Sequence, residues 1–106
     1  MEYKDDWEKL EVEMFKEDKE LSVICLNDEI EEYNRTGDMK YLNAQLKLMA
    51  TAYGWTRLER ETGLTRATLY NTLNNKSEPK LKTFLSILNV LGLNLTVKPC
   101  QQNTEN

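Results

Sequence analysis

The stretch GWTRLERETGLTRATLYNTL, residues 54–73, holds two short helical segments around a single glycine. Thr56–Thr62 reads as the first helix, Gly63 as the turn and Thr65–Asn74 as the second helix. A DNA-reading helix-turn-helix lays its second helix in the major groove and the first across it. Three things are then required: a glycine where φ is positive, apolar residues on the facing sides, and a short polar surface on the outside of the second helix. Gly63 meets the first. Leu58 faces inward from the first helix, and Leu64, Leu69 and Leu73 from the turn and the second. Thr65, Arg66, Ala67, Tyr70, Asn71 and Asn74 are left outside.

These outward residue types suit base edges. Arginine pairs with guanine, asparagine with adenine, and alanine or threonine methyl groups meet the thymine methyl. Arg57, Arg60 and Lys76 flank the pair and suit phosphate. An ordinary pair of packed helices shows the same helix-glycine-helix spacing. The exposed Thr-Arg-Ala and Tyr-Asn sets, with few acids beside them, favour the DNA-reading alternative.

Upstream, the pattern is helical throughout. Trp7, Leu10, Met14 and Phe15 fall at helical offsets within Asp5–Phe15, among many acids. Asp18 is a suitable N-cap for a second helix, Lys19–Arg35, with Leu21, Ile24, Leu26, Ile30 and Tyr33 apolar. Gly37 suits a left-handed stop. Asp38 caps a third helix that runs to Tyr53 and ends at Gly54. Downstream, residues 74–79 form a turn-rich loop. Leu81–Leu91 is a last helix, with Phe84, Leu85, Leu88 and Leu91 inward and Gly92 as its stop. Leu93, Leu95 and Val97 alternate with polar residues before Pro99, which predicts a short strand.

The 106 residues suffice for one core. The expected organisation is an acidic amphipathic arm (1–17), a helical domain (18–99) and a disordered polar tail (100–106). No apolar run approaches the about 20 residues that span a bilayer, and Met1–Asp6 leads into no signal-peptide core, so a cytoplasmic location is expected. Histidine is absent, and the two cysteines, Cys25 and Cys100, lie far apart. With no Gly-rich phosphate loop either, no enzyme, cofactor or metal site is expected. Cys25 reads as a reduced core thiol.

Net charge is −4, which taken whole argues against nucleic acid. The charge is segregated, however. Residues 1–40 carry 14 acids against 6 bases, and residues 41–106 carry 4 against 8. An acidic arm on a mildly basic body suggests a basic partner for the one and an acidic partner for the other.

Residues 54–73 resemble the helix-turn-helix of XRE-type regulators and, more narrowly, HigA-like antidote proteins of addiction modules. The Gly63-Leu64-Thr65-Arg66 run with Leu69-Tyr70 and Leu73 carries the likeness. Pro79, the Gly92–Pro99 segment, and Tyr33 with Gly37-Asp38 extend it to about Leu21–Pro99. The resemblance implies an all-α, lambda-repressor-like bundle with a short C-terminal β-strand. It also implies an antitoxin of a type II module, which neutralises a basic RelE/HigB-like mRNA-cleaving toxin and represses its own operon as a dimer. One departure stands at Glu59, four positions before the turn glycine. Related motifs hold a small residue there, so this carboxylate is expected to crowd the helix crossing or to repel phosphate.

Two further expectations follow. Trp7, Leu10, Met14 and Phe15 form the face that docks on the toxin, the alternative being ordinary core. Leu93, Leu95 and Val97 pair with a second copy, the alternative being an edge strand of the toxin. A stand-alone repressor without a toxin, and a protein-binding module that no longer binds DNA, are the rival functions.

Overall fold

The computed structural model describes residues 5–74 and 79–100. These carry six helices: α1 (Asp6–Glu17), α2 (Lys19–Thr36), α3 (Lys40–Tyr53), α4 (Trp55–Thr62), α5 (Arg66–Leu73) and α6 (Leu81–Val90). Lys76 and the expected tail beyond Cys100 lie outside the described residues. No helix among them is long and apolar enough to cross a membrane.

Short polar side chains set the helix boundaries. Asp5 caps α1 by accepting from the Glu8 amide at 2.8 Å, and Asp18 caps α2 through the Leu21 amide at 3.0 Å. Each carboxylate satisfies an amide with no partner inside its helix and places negative charge at the positive end. Asp38 accepts from the Lys40 amide at 2.9 Å, although Met39 occupies the cap position of α3. Gly37 ends α2 with φ at 77°, a left-handed conformation that side chains resist.

Helix α3 is the centre of the bundle. Leu42, Leu46, Met49 and Ala50 are buried on it, and they join Leu26 of α2, Leu58, Leu69 and Leu73 of the two short helices, and Ile87, Leu88 and Leu91. Gln45 donates to the Ser22 carbonyl at 3.3 Å, which ties the first turn of α2 to α3. Helix α1 packs on α3 and α2 through Val12 and Phe15, which are 0% and 7% exposed. On α2, Leu26 turns inward as expected, whereas Ile24 is 54% exposed.

The expected C-terminal β-strand is not formed: residues 93–100 carry no strand. A strand is a pairing, and no second strand exists among the described residues to complete a ladder. The segment instead returns beside α2. A Cβ at Gly92 would stand 2.8 Å from Lys19 Nζ, and Lys98 Nζ lies 3.9 Å from Glu31 Oε2. Leu93 packs on the core, while Leu95 and Val97 face outward.

Candidate nucleic-acid interface

Helices α4 and α5 are two short helices on either side of Gly63, where the sequence places them. Gly63 sits at φ 76°. Before it, Thr62 donates to the Leu58 carbonyl at 2.7 Å and accepts from the Leu64 amide at 3.1 Å, closing the turn from both sides. Thr65 is the N-cap of α5, accepting from the Thr68 amide at 3.1 Å. Leu58, Leu69 and Leu73 are buried between the helices and α3. The expected residues Thr65, Ala67, Tyr70, Asn71 and Asn74 are exposed along α5, and Arg66 is half-buried at its first turn.

Several of these side chains are already engaged. Arg66 donates to Thr56 Oγ1 at 3.1 Å, and its Nε faces Glu59 Oε2 at 3.5 Å. That Nε is shielded from solvent and lacks hydrogen-bond geometry to the carboxylate, so the pair is held by charge alone. Glu59 therefore acts as a counter-ion reaching from the first helix to the arginine of the second. A partly exposed pair of this kind contributes little, and a stronger acceptor can take the arginine.

At the other end of α5, Asn74 accepts from Lys47 Nζ at 3.1 Å and donates to the Tyr70 carbonyl at 2.7 Å. Tyr70 packs on Trp55 with ring centroids 4.6 Å apart and planes tilted by 51°. The Trp55 indole N–H donates to Thr51 Oγ1 at 3.1 Å, fixing the ring at the start of α4.

The expected phosphate contacts Arg57 and Arg60 converge on Glu61. Arg57 Nε stands 3.4 Å and an Arg60 terminal nitrogen 3.8 Å from its carboxylate, and the Tyr53 hydroxyl donates to it as well. Arg57 also lies 4.1 Å over the Tyr53 ring. The Tyr53 hydrogen bond and the Arg57 guanidinium hold the Glu61 carboxyl below the usual glutamate range, and the carboxylate in turn raises the Tyr53 phenol. The three arginines of the two short helices thus face two acids, Arg57 and Arg60 sharing Glu61.

Lys47, Trp55 and Thr51 were not foreseen as part of this surface. Lys47 and Thr51 belong to α3, outside the motif, and reach it only because α3 packs behind α5. With Tyr70, Arg66 and Asn74 they line a cleft of about 560 Å³, and Glu8 of α1 enters the same lining.

Helix α1 presents a second surface. Trp7, Leu10 and Met14 are 68%, 49% and 42% exposed and lie along one outer row, whereas Phe15 belongs to the packed face. Asp6, Glu13 and Glu17 are exposed on the same helix. Elsewhere, Cys25 is a free, half-buried thiol, and burial raises its pKa. Among the described residues no cluster of three or more acidic, cysteine or histidine side chains is placed to hold a metal.

A family model described as "Probable addiction module antidote protein" matches residues 7–99. The match takes in nearly all of α1 as well as α4 and α5, and it runs through the segment after α6. No curated protein and no solved structure matches the chain.

Proposed function

This chain belongs to the family of probable addiction module antidote proteins, and from that premise we propose that it is a type II antitoxin. It binds a basic RelE/HigB-like mRNA-cleaving ribonuclease, holds it inactive, and represses its own operon through an XRE-type helix-turn-helix. The observation that carries the partner half is the outward row Trp7, Leu10 and Met14, with acids around it. Exposed large apolar residues on one helix row suit an amphipathic helix laid into a groove, and the acids suit a basic wall around that groove.

The DNA half rests on α5, whose outward Ala67, Asn71 and Tyr70 can face base edges. A homodimer sets two such helices about 34 Å apart, in successive major grooves. Leu95 and Val97 are the exposed apolar residues of the C-terminal segment available to that contact, with Leu93 beneath them. In this reading Arg66 leaves Glu59 for a base edge, and Arg66→Ala costs about 1–3 kcal/mol at one operator position. Competition binding against single-base variants of the upstream DNA measures it; an equal loss on every sequence marks a phosphate contact instead.

One observation favours a second reading, a protein-binding module without DNA activity. The arginines Arg57, Arg60 and Arg66 each already face a carboxylate, which lowers the positive potential available to phosphate. Growth separates the antitoxin from a stand-alone repressor, and duplex binding separates it from a module without DNA activity. Expression of the adjacent reading frame alone is expected to stop growth, and co-expression of this chain to restore it. A harmless neighbour contradicts the antitoxin reading.

A further inference from the structure

The inner acids of α1 stand at the edge of the recognition surface. Glu8 lines the 560 Å³ cleft together with Lys47, Arg66, Tyr70 and Asn74. One turn apart on α1, Asp5, Glu8 and Glu11 also line a neighbouring cleft of about 340 Å³ with Lys40 and Lys47, and this cleft reaches Asn74 at the end of α5. Lys47 and Glu8 are thus common to both clefts. The first turn of α1 is pinned by the Asp5 cap on the Glu8 amide, which fixes the backbone from which the Glu8 side chain extends. Lys47 is steadied by Asn74 Oδ1 at 3.1 Å.

We propose that Lys47 is a backbone-phosphate contact for bound DNA and that Glu8 opposes that phosphate, making α1 an acidic gate on the recognition helix. The proposal rests on the DNA-binding reading of α4 and α5. A helix seated in a major groove is flanked by the phosphates of the groove walls. Tyr70 and Asn74, four residues apart, mark one edge of α5, and Lys47 stands beyond that edge. A phosphate that reaches Lys47 enters a cleft that Glu8 also lines. The repulsion between them is partly screened by salt and weakens binding most at low ionic strength. The acids of α1 then have two separate tasks: the outer ones border the apolar row, and Glu8 limits the grip on DNA.

The test uses the full chain and a labelled duplex of about 30 base pairs of arbitrary sequence, read by fluorescence anisotropy at about 50 mM and 200 mM salt. Glu8→Gln is expected to tighten binding about threefold or more at the lower salt. Lys47→Gln weakens it and lowers the salt slope by about 1. In the Lys47→Gln background the gain from Glu8→Gln disappears, because the phosphate is no longer drawn to that corner. Glu13→Gln removes the same charge from a residue whose ion pair is with Lys16 at 3.5 Å, and it leaves affinity within about twofold. Circular dichroism confirms that each variant is folded. Equal binding by wild type and Glu8→Gln overturns the gate, as does a gain that Glu13→Gln reproduces or that survives without Lys47. If neither wild type nor any variant binds duplex DNA, the DNA-binding reading itself falls, and the gate with it.

Discussion

Leu69→Ala is expected to lower the folding free energy by about 2–5 kcal/mol. Leu69 is 0% exposed and belongs to the same buried cluster as Leu46, Leu58 and Leu73. With Leu73 it is a buried apolar side chain of α5, which packs on α3 and α4. Truncation removes its buried methyl groups and leaves a cavity among helices that cannot close over it, since α5 is only two turns long and tied at both ends. Domains of this size have about 5–15 kcal/mol in total, so the loss is a large share of stability. Each kcal/mol corresponds to about 4–8 °C in Tm for a domain of 60–100 residues, and a drop of about 8 °C or more is expected here. Urea unfolding measures it directly. A loss under about 0.5 kcal/mol would mean that α5 is not held by this packing.

The second large effect is on the partner. Leu10→Lys is expected to weaken binding of the proposed ribonuclease partner by about 30-fold or more, which corresponds to about 2 kcal/mol. Leu10 lies between Trp7 and Met14 on the outer row of α1 and is 49% exposed, so the free protein loses little stability. The substitution removes an apolar anchor and sets a positive charge against the basic surface proposed for the partner, so it adds repulsion as well as losing contact. Titration calorimetry with the purified neighbour measures the change, and unchanged affinity would remove α1 from the interface. Deleting residues 1–17 is a poorer experiment, because it also strips Val12 and Phe15 from the face of α3 they cover.

The motif at residues 54–73 was legible because its requirements are local. A glycine at positive φ, a threonine cap and leucines at helical spacing are all written in neighbouring residues, and the structure has them at Gly63, Thr65, Leu58 and Leu69. The Asp18 cap was legible for the same reason, whereas the cap expected of Asp38 falls one residue outside the cap position, which Met39 holds. Helix α1 was harder. Its apolar residues fall on two faces, and periodicity does not say which one packs. Phe15 follows Met14 by about 100° around the helix, enough to carry it from the outer row to the packed face. Val12, buried beside it, was missed because it is a lone apolar residue between two glutamates. The alternation at Leu93, Leu95 and Val97 is a side-chain pattern, while a strand depends on a pairing partner that the pattern cannot supply. Glu59 with Arg66 and Lys47 with Asn74 depend on how helices cross, and no local spacing encodes them.

Ribonuclease inhibition tests the central claim most directly. The product of the adjacent reading frame would be purified and its cleavage of translated mRNA followed while this protein is added in steps. The account predicts that cleavage ends near one equivalent per binding site, and that Leu10→Lys must be added in large excess for the same effect. Undiminished cleavage with the folded protein in excess would contradict it.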